Sequence, residues 1–337
     1  MKRDLDIHDI KPGFDDLVTS RIGLGMAALG RPAYINLYHS DDLDSKTSYH
    51  AMFEHAREML DTAYASGIRY FDTAASYGAG EKFLGKWLFD REFHIEGITV
   101  ASKWGYRYTA DWKLDAKVHE VKEHTLENLA ASYVWSCLRL GRALRIYQIH
   151  SATFESGVLE NTQVLNRLAN IREDGRLVGL TVSGPRQSEL IDVAIDIEID
   201  GIRLFDVVQA TWNPLETSAS EALQRASDAG MAVVIKESLA NGRLTTRNDE
   251  EDFKLKIDLL MKQAERLECT LDALVIASAV NQPWVNITLS GATTIDQLQS
   301  NLRALDVSWD DEAAHEVSLL AEKPEIYWQR RAGLKWS

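Results

Sequence analysis

One pattern recurs along this chain and constrains its fold more than anything else: an amphipathic helical stretch, a glycine, then four to six mostly apolar residues ending in polar ones. Residues 49–65 place Met52, Ala56, Met59, Leu60 and Ala63 at close to helical spacing, Gly67 stops the helix, and Ile68-Arg69-Tyr70-Phe71 follows. The same grammar returns at Gly97 before Ile98-Thr99-Val100, Gly141 before Ile146-Tyr147-Gln148-Ile149, and Gly175 before Val178-Gly179-Leu180-Thr181-Val182. It continues at Gly201 before Val207-Val208 and Gly230 before Ala232-Val233-Val234-Ile235, and Pro283 stands in for the glycine before Val285-Asn286-Ile287-Thr288-Leu289. With Ile22-Gly23-Leu24 near the start, eight strands are predicted, apolar throughout as in a parallel sheet covered on both faces.

Eight βα units without a Pro, Gly or Ser-rich linker predict an α/β chain folded as one domain, 1–337: a parallel eight-stranded (β/α)8 TIM barrel. Its core spans about 19–306, and the tail 307–337 is expected near the substrate pocket. Residues 31–46 after strand one and 245–252 after strand seven exceed minimal loops. Both follow strands, so both are long loops on the catalytic face.

Charge and cysteine content narrow the partners. The net charge of -14 opposes a phosphate backbone, so no nucleic acid is expected. Residues 1–16 are studded with charges and lack the apolar stretch of a signal peptide, and no membrane span is expected elsewhere. Cys137 and Cys269 are the two cysteines, far apart within helical patterns, which fits a reducing, cytoplasmic setting. No histidine pairs with cysteine at ligand spacing, so no metal is expected; His50 and His55 read as surface helix residues. Nothing in the sequence fixes the oligomeric state.

Active-site side chains of a parallel barrel come from the C-terminal ends of its strands. Strand two ends in Asp72 with Tyr77 five residues on, strand three in Ser102-Lys103-Trp104-Gly105, and strand four in Gln148-Ile149-His150-Ser151. Taken singly, a buried Asp–Lys pair is often structural, a tyrosine after a strand packs a loop, and a lone histidine is a satisfied core residue. Together, in this order, Asp72, Tyr77, Lys103 and His150 resemble the catalytic tetrad of the aldo-keto reductase superfamily, a resemblance that runs from about residue 21 to 305. It implies Tyr77 as proton donor, Lys103 lowering the phenol pKa, Asp72 keeping Lys103 charged, and His150 orienting the carbonyl oxygen.

The resemblance also implies a nicotinamide cofactor. Met26, Ala27 and Asp72 would contact it, and Ser183 would take the carboxamide, with Gly184 departing from the family's Asn. Gln209 would join Ser183, and Trp212 would stack on the nicotinamide ring. Leu239, Ala240, Gly242 and Arg243 fall in a segment resembling the pyrophosphate loop, where Glu237-Ser238 replaces Ser-Pro; because a carboxylate repels pyrophosphate, Glu237 is expected to point elsewhere or toward the substrate. Gly291, Thr293, Gln297 and Asn301 resemble the helix clasping the adenosine half. The usual Lys and Arg for a 2′-phosphate are missing there, Ser300 replaces the usual Glu, and Arg243 or Arg247 would substitute. The family's habit favours NADP(H), with NAD(H) not excluded.

Trp104, Tyr106, Tyr34 and Trp328 are the expected substrate-pocket residues, within an aromatic mouth that also holds Tyr38, Tyr108, Trp112, Tyr327 and Trp336. Such side chains fit either a wall for a flat carbonyl compound or the packing of long loops against one another. Arg107 and the basic tail leave a carboxylated aldehyde or a sugar open. The leading expectation is an NADP(H)-dependent oxidoreductase reducing an aldehyde or ketone, reversibly, with a small-molecule carbonyl as partner. Two other readings are a cofactor-binding regulatory subunit resembling potassium-channel β subunits, and a barrel glycosidase using Asp72 and Glu237.

Overall fold

The computed structural model describes residues 17–91 and 97–337. The charged stretch 1–16 lies outside the described residues. Eight parallel strands close a barrel: β1 (Ile22–Gly25), β2 (Tyr70–Asp72), β3 (Thr99–Trp104), β4 (Leu144–Ala152), β5 (Leu177–Val182), β6 (Val207–Thr211), β7 (Ala232–Lys236) and β8 (Ile287–Ser290). Each pairs with its sequence neighbours, and β1 pairs β8 to close the ring. The TIM barrel expected from the glycine-punctuated repeat is therefore the fold.

Alternation of side chains along each strand builds two cores. Tyr70, Ala101, Ile146, Val207, Ala232, Val234, Ile287 and Leu289 fill the barrel together with Leu17. Their neighbours, including Phe71, Val100, Val208, Val233 and Ile235, face the surrounding helices. The interior stack is apolar low in the barrel and turns polar at the strand tips, where Asp72, Lys103 and Gln209 meet.

The α-helices of the described residues are, in chain order, α1 (His39–Asp42), α2 (Tyr49–Ala65), α3 (Gly80–Asp90), α4 (Leu126–Leu140), α5 (Thr162–Glu173), α6 (Gln187–Ile195), α7 (Ser220–Asp228), α8 (Lys254–Arg266), α9 (Leu271–Val280), α10 (Ile295–Leu302), α11 (Asp311–Ser318) and α12 (Pro324–Ala332). α2 starts where Ser48 Oγ accepts from the Ala51 amide, and it buries the five apolar residues whose spacing predicted it. Thr125 and Thr294 cap α4 and α10 in the same way. Among the described residues no helix is long and apolar enough to cross a membrane.

Three features at the catalytic face bear on the site. Tyr106–Tyr108 pairs antiparallel with Glu120–Lys122, a hairpin that hangs off β3. Segment 31–46 contains α1 and crosses to the loop after β7, where the Leu37 amide donates to the Asn241 carbonyl at 3.0 Å. Residues 334–337 return after α12, and Ser337 and Tyr34 exchange two backbone hydrogen bonds of 3.0 and 3.1 Å.

Candidate active site

Tyr77 sits in the tight turn between β2 and α3, its amide donating to the Ala74 carbonyl at 3.1 Å. The turn needs glycine around it. Gly78 has φ +58°, and a Cβ on Gly30 would lie 2.3 Å from the Tyr77 carbonyl oxygen. Asp72 and Lys103 come from adjacent strands, and their side chains meet inside the barrel mouth. Lys103 Nζ is hydrogen-bonded to Asp72 Oδ1 and donates to the Thr73 carbonyl at 3.0 Å, while Gln209 Nε2 donates to Asp72 Oδ2 at 2.9 Å. Lys103 Nζ lies 5.1 Å from the Tyr77 ring centre.

His150 completes the group from the tip of β4. Its Nε2 is 3.4 Å from Tyr77 Oη and its Nδ1 is 3.4 Å from Ser76 Oγ. The Arg31 guanidinium covers the Tyr77 ring at 5.0 Å, and its Nη1 donates to Glu120 at 2.8 Å. The structure thus brings together all four residues of the expected tetrad.

Burial dominates the electrostatics here. It lifts the Tyr77 phenol well above the ordinary tyrosine range, Tyr34 and Asp72 adding to the rise and Arg31 opposing it. Burial also holds His150 well below its ordinary value, and the cations Lys103 and Arg31 push the same way. For Lys103, burial lowers the pKa and the Asp72 carboxylate resists. Near neutral pH, Tyr77 is therefore a protonated phenol and His150 a neutral imidazole. Each keeps an N–H or O–H to offer an oxygen.

A cleft of about 400 Å³ opens along the strand tips, from Tyr77, Tyr106 and His150 at one end to Thr293, Gln297 and Asn301 at the other. Ala27, Asp72, Ser183, Gln209, Leu239 and Gly242 line it, as does Gly291. Of the expected substrate-pocket residues, Tyr34 and Tyr106 line it too.

Several expected residues lie elsewhere. Strand alternation explains two. Lys103 points inward, so Trp104 must point outward, and it is fully buried in the shell between barrel and helices. Gln209 points inward, so Trp212 turns out; it packs edgewise on Trp284 at 5.8 Å and its indole donates to Ser220 Oγ at 2.8 Å, away from any stacking position in the cleft. Met26 and Ala240 are fully buried in apolar clusters. Arg243 is buried under the Tyr327 ring at 4.4 Å, and Trp328 packs with Tyr327 in the cluster beneath α12. None of these six belongs to the lining.

The lining also holds charged and aromatic residues beyond the tetrad and the expected cofactor contacts. Lys236, the inward residue at the tip of β7, donates to Thr211 Oγ1 at 2.6 Å, and burial brings its pKa down to about 8. Glu237, with φ +58°, accepts both arms of Arg331 from α12. Burial alone would raise the Glu237 carboxyl, but Arg331 and Lys236 outweigh it and hold it at about 2. Glu237 thus pairs with α12 through Arg331 while still lining the cleft. Lys122 arrives on the hairpin, and Trp336 stacks on His119 at 4.3 Å with Arg31 4.7 Å from its ring.

The family model described as "Aldo/keto reductase family" matches residues 21–322. The chain belongs to the aldo/keto reductase family. Among curated relatives, the chain is 26% identical to the NADH-specific methylglyoxal reductase of Escherichia coli (strain K12), across 93% of this chain and 98% of that one. It is 25% identical to a probable voltage-gated potassium channel subunit beta of Oryza sativa subsp. japonica, across 85% of this chain and 90% of the relative. Among solved structures, an aldo-keto reductase from Bacillus halodurans in its holo form superposes with a TM-score of 0.68 at 20% identity, covering 93% of this chain and 96% of that one, which bears on the fold.

Proposed function

We propose that this aldo/keto reductase reversibly reduces the carbonyl of a small molecule, with Tyr77 exchanging the proton at oxygen and a nicotinamide dinucleotide exchanging the hydride at carbon. The observation that carries this reading is the meeting of Tyr77 Oη and His150 Nε2, 3.4 Å apart, over the buried Lys103–Asp72 pair at one end of the cleft. The cleft suits a polar, elongated cofactor. Asn241 Oδ1 and Asn301 Oδ1 both belong to cleft-lining residues, and both are buried without a partner among the described residues.

The chain's own groups perform the remainder. A carbonyl oxygen placed between Tyr77 and His150 receives two neutral hydrogen bonds in a site shielded from water, which strengthen as negative charge develops on that oxygen. Tyr77 then delivers its proton. The Lys103 ammonium behind it stabilises the tyrosinate left, and Asp72, tethered by Gln209, keeps that ammonium charged and in place. Ser183 and Gln209 are the residues we assign to the carboxamide, and Leu239, Gly242, Gly291, Thr293, Gln297 and Asn301 to the remainder of the dinucleotide. Tyr34, Tyr106 and Trp336 form the substrate wall. The name of the E. coli relative supports a small aldehyde and NAD(H), against the NADP(H) that family habit favours. Two free cysteines suit the cytoplasm.

A glycosidase has no acid here. Asp72 accepts from Lys103 and Gln209, leaving no proton aimed at a sugar oxygen, and Glu237 is held ionised by Arg331. The relative named as a channel subunit supports a second reading, in which a partner reads the bound cofactor. Absorbance at 340 nm separates the two. Aldehyde-dependent oxidation of the reduced dinucleotide supports the reductase, and tight dinucleotide binding with no turnover on a panel of aldehydes and ketones supports the subunit.

A further inference from the structure

The proton-donating group lies at one end of the cleft, so a dinucleotide that brings its nicotinamide there must lay its adenosine at the other end. This step rests on the cofactor assignment above. At that far end the dominant charge is negative. Asp42, from α1 in segment 31–46, accepts at Oδ2 from Thr293 Oγ1 at 2.8 Å and from Gln297 Nε2 at 3.1 Å. Its Oδ1 accepts from Arg247 Nη1 at 2.6 Å. Asp272, in the first turn of α9, brings a second carboxylate to the lining.

We infer that Asp42 makes this end of the cleft a site for an adenosine ribose with a free 2′-hydroxyl, selecting NAD(H) and turning away NADP(H). A carboxylate accepts from ribose hydroxyls, whereas a 2′-phosphate brought beside it meets like charge. Of the two cations expected to neutralise such a phosphate, Arg247 is engaged by Asp42 itself and Arg243 is buried outside the lining. Arg247 gives one arm to Asp42 and another to the Tyr38 carbonyl at 3.0 Å. Arg243 lies beneath Tyr327, outside the lining. The other cations of the lining are engaged among the groups of the Tyr77 end: Arg31 pairs with Glu120, Lys236 and Arg331 with Glu237, and Lys122 donates to the Ser151 carbonyl at 2.8 Å.

Asp42 is anchored rather than loosely tethered. Besides the Leu37–Asn241 backbone bond, Asn241 Nδ2 donates to Asn36 Oδ1 at 3.2 Å. Gly242, at φ +92°, leaves room for Leu37, whose Cβ would sit 3.2 Å from a Cβ at that position. Segment 31–46 thus carries a carboxylate across the cleft to the start of α10. Fixed in three hydrogen bonds, that carboxylate cannot swing aside to admit a phosphate without breaking its bonds to Thr293, Gln297 and Arg247.

Titrating the intact protein with NADH and with NADPH by tryptophan fluorescence, in wild type, Asp42→Asn and Asp272→Asn, tests this. Wild type should bind NADH at least about tenfold more tightly than NADPH. Asp42→Asn should cut that ratio by about tenfold, chiefly by tightening NADPH, because Asn keeps the shape and one acceptor but loses the charge. Asp272→Asn, which leaves the α1 anchorage intact, should move the ratio the same way by less. Equal or tighter NADPH binding to wild type overturns the inference while leaving the reductase reading standing, as does a ratio that neither variant changes. Failure to bind either dinucleotide overturns the cofactor assignment and this inference with it.

Discussion

The two ends of the cleft solve different problems with the same residue types. At the Tyr77 end, polar groups are sunk among apolar neighbours, and desolvation shifts Tyr77, His150 and Lys103 away from their ordinary ionisation. At the α10 end, Asp42, Thr293, Gln297 and Arg247 are tied together in a hydrogen-bonded knot. Burial creates reactivity, because a group whose charged form is costly is held ready to exchange a proton. Pairing creates selectivity, because a fixed carboxylate distinguishes a hydroxyl from a phosphate.

The contrast predicts where substitutions hurt most. Asp72→Asn should be the most damaging, since it leaves the fully buried Lys103 ammonium without its counter-charge. We expect a loss of about 3–5 kcal/mol in urea denaturation, along with loss of turnover. A stability change within error would mean that Lys103 is not held charged by Asp72. Trp212→Ala should cost about 3 kcal/mol while leaving dinucleotide affinity unaltered, because the ring fills the helix-facing shell. A large loss of affinity at unchanged stability would return Trp212 to the cleft.

Glu237→Gln should remove ~3 kcal/mol at neutral pH. Its carboxyl is held at about 2 against an ordinary 4.5, so the contribution is complete above pH 4.5 and disappears as the pH falls through about 2. Wild type and variant should therefore converge in stability as acid is added. A constant gap between their unfolding midpoints down to pH 2 would show that the pair with Arg331 is not the source. The smallest effect is expected at Lys236, whose pKa of about 8 places its charge change within the working range. An inflection near pH 8 in the reduction rate should vanish in Lys236→Met, whereas Tyr77 and His150, displaced to either side, contribute none between pH 7 and 9. Persistence of the inflection in the variant would assign it to another group.

How far the sequence reveals this arrangement depends on the range of the contacts. The barrel is legible because each βα unit is written locally, by helical spacing, a glycine stop and an apolar run. Asp72, Lys103 and His150 are placed at or near strand tips by those runs, and their reading as a tetrad with Tyr77 comes from the family resemblance. The outward turn of Trp104 and Trp212 is legible too, though family resemblance argues the other way: once Lys103 and Gln209 face inward, alternation sends residues one and three positions further on to the outside. The selectivity knot is a different case. Asp42 meets Thr293 across 251 residues, and Arg331 reaches back 94 residues to Glu237. No local pattern encodes those returns. The hairpin carrying Glu120 and Lys122 left a faint trace in the alternating Tyr106-Arg107-Tyr108.

The most direct test of the central claim, that Tyr77 supplies the proton in carbonyl reduction, is to compare wild type with Tyr77→Phe in one preparation, measuring dinucleotide affinity by fluorescence and aldehyde-dependent oxidation at 340 nm. Affinity should be preserved while turnover falls by at least about 10²-fold, the loss typical of a missing general acid. Turnover equal to that of wild type would contradict the assignment.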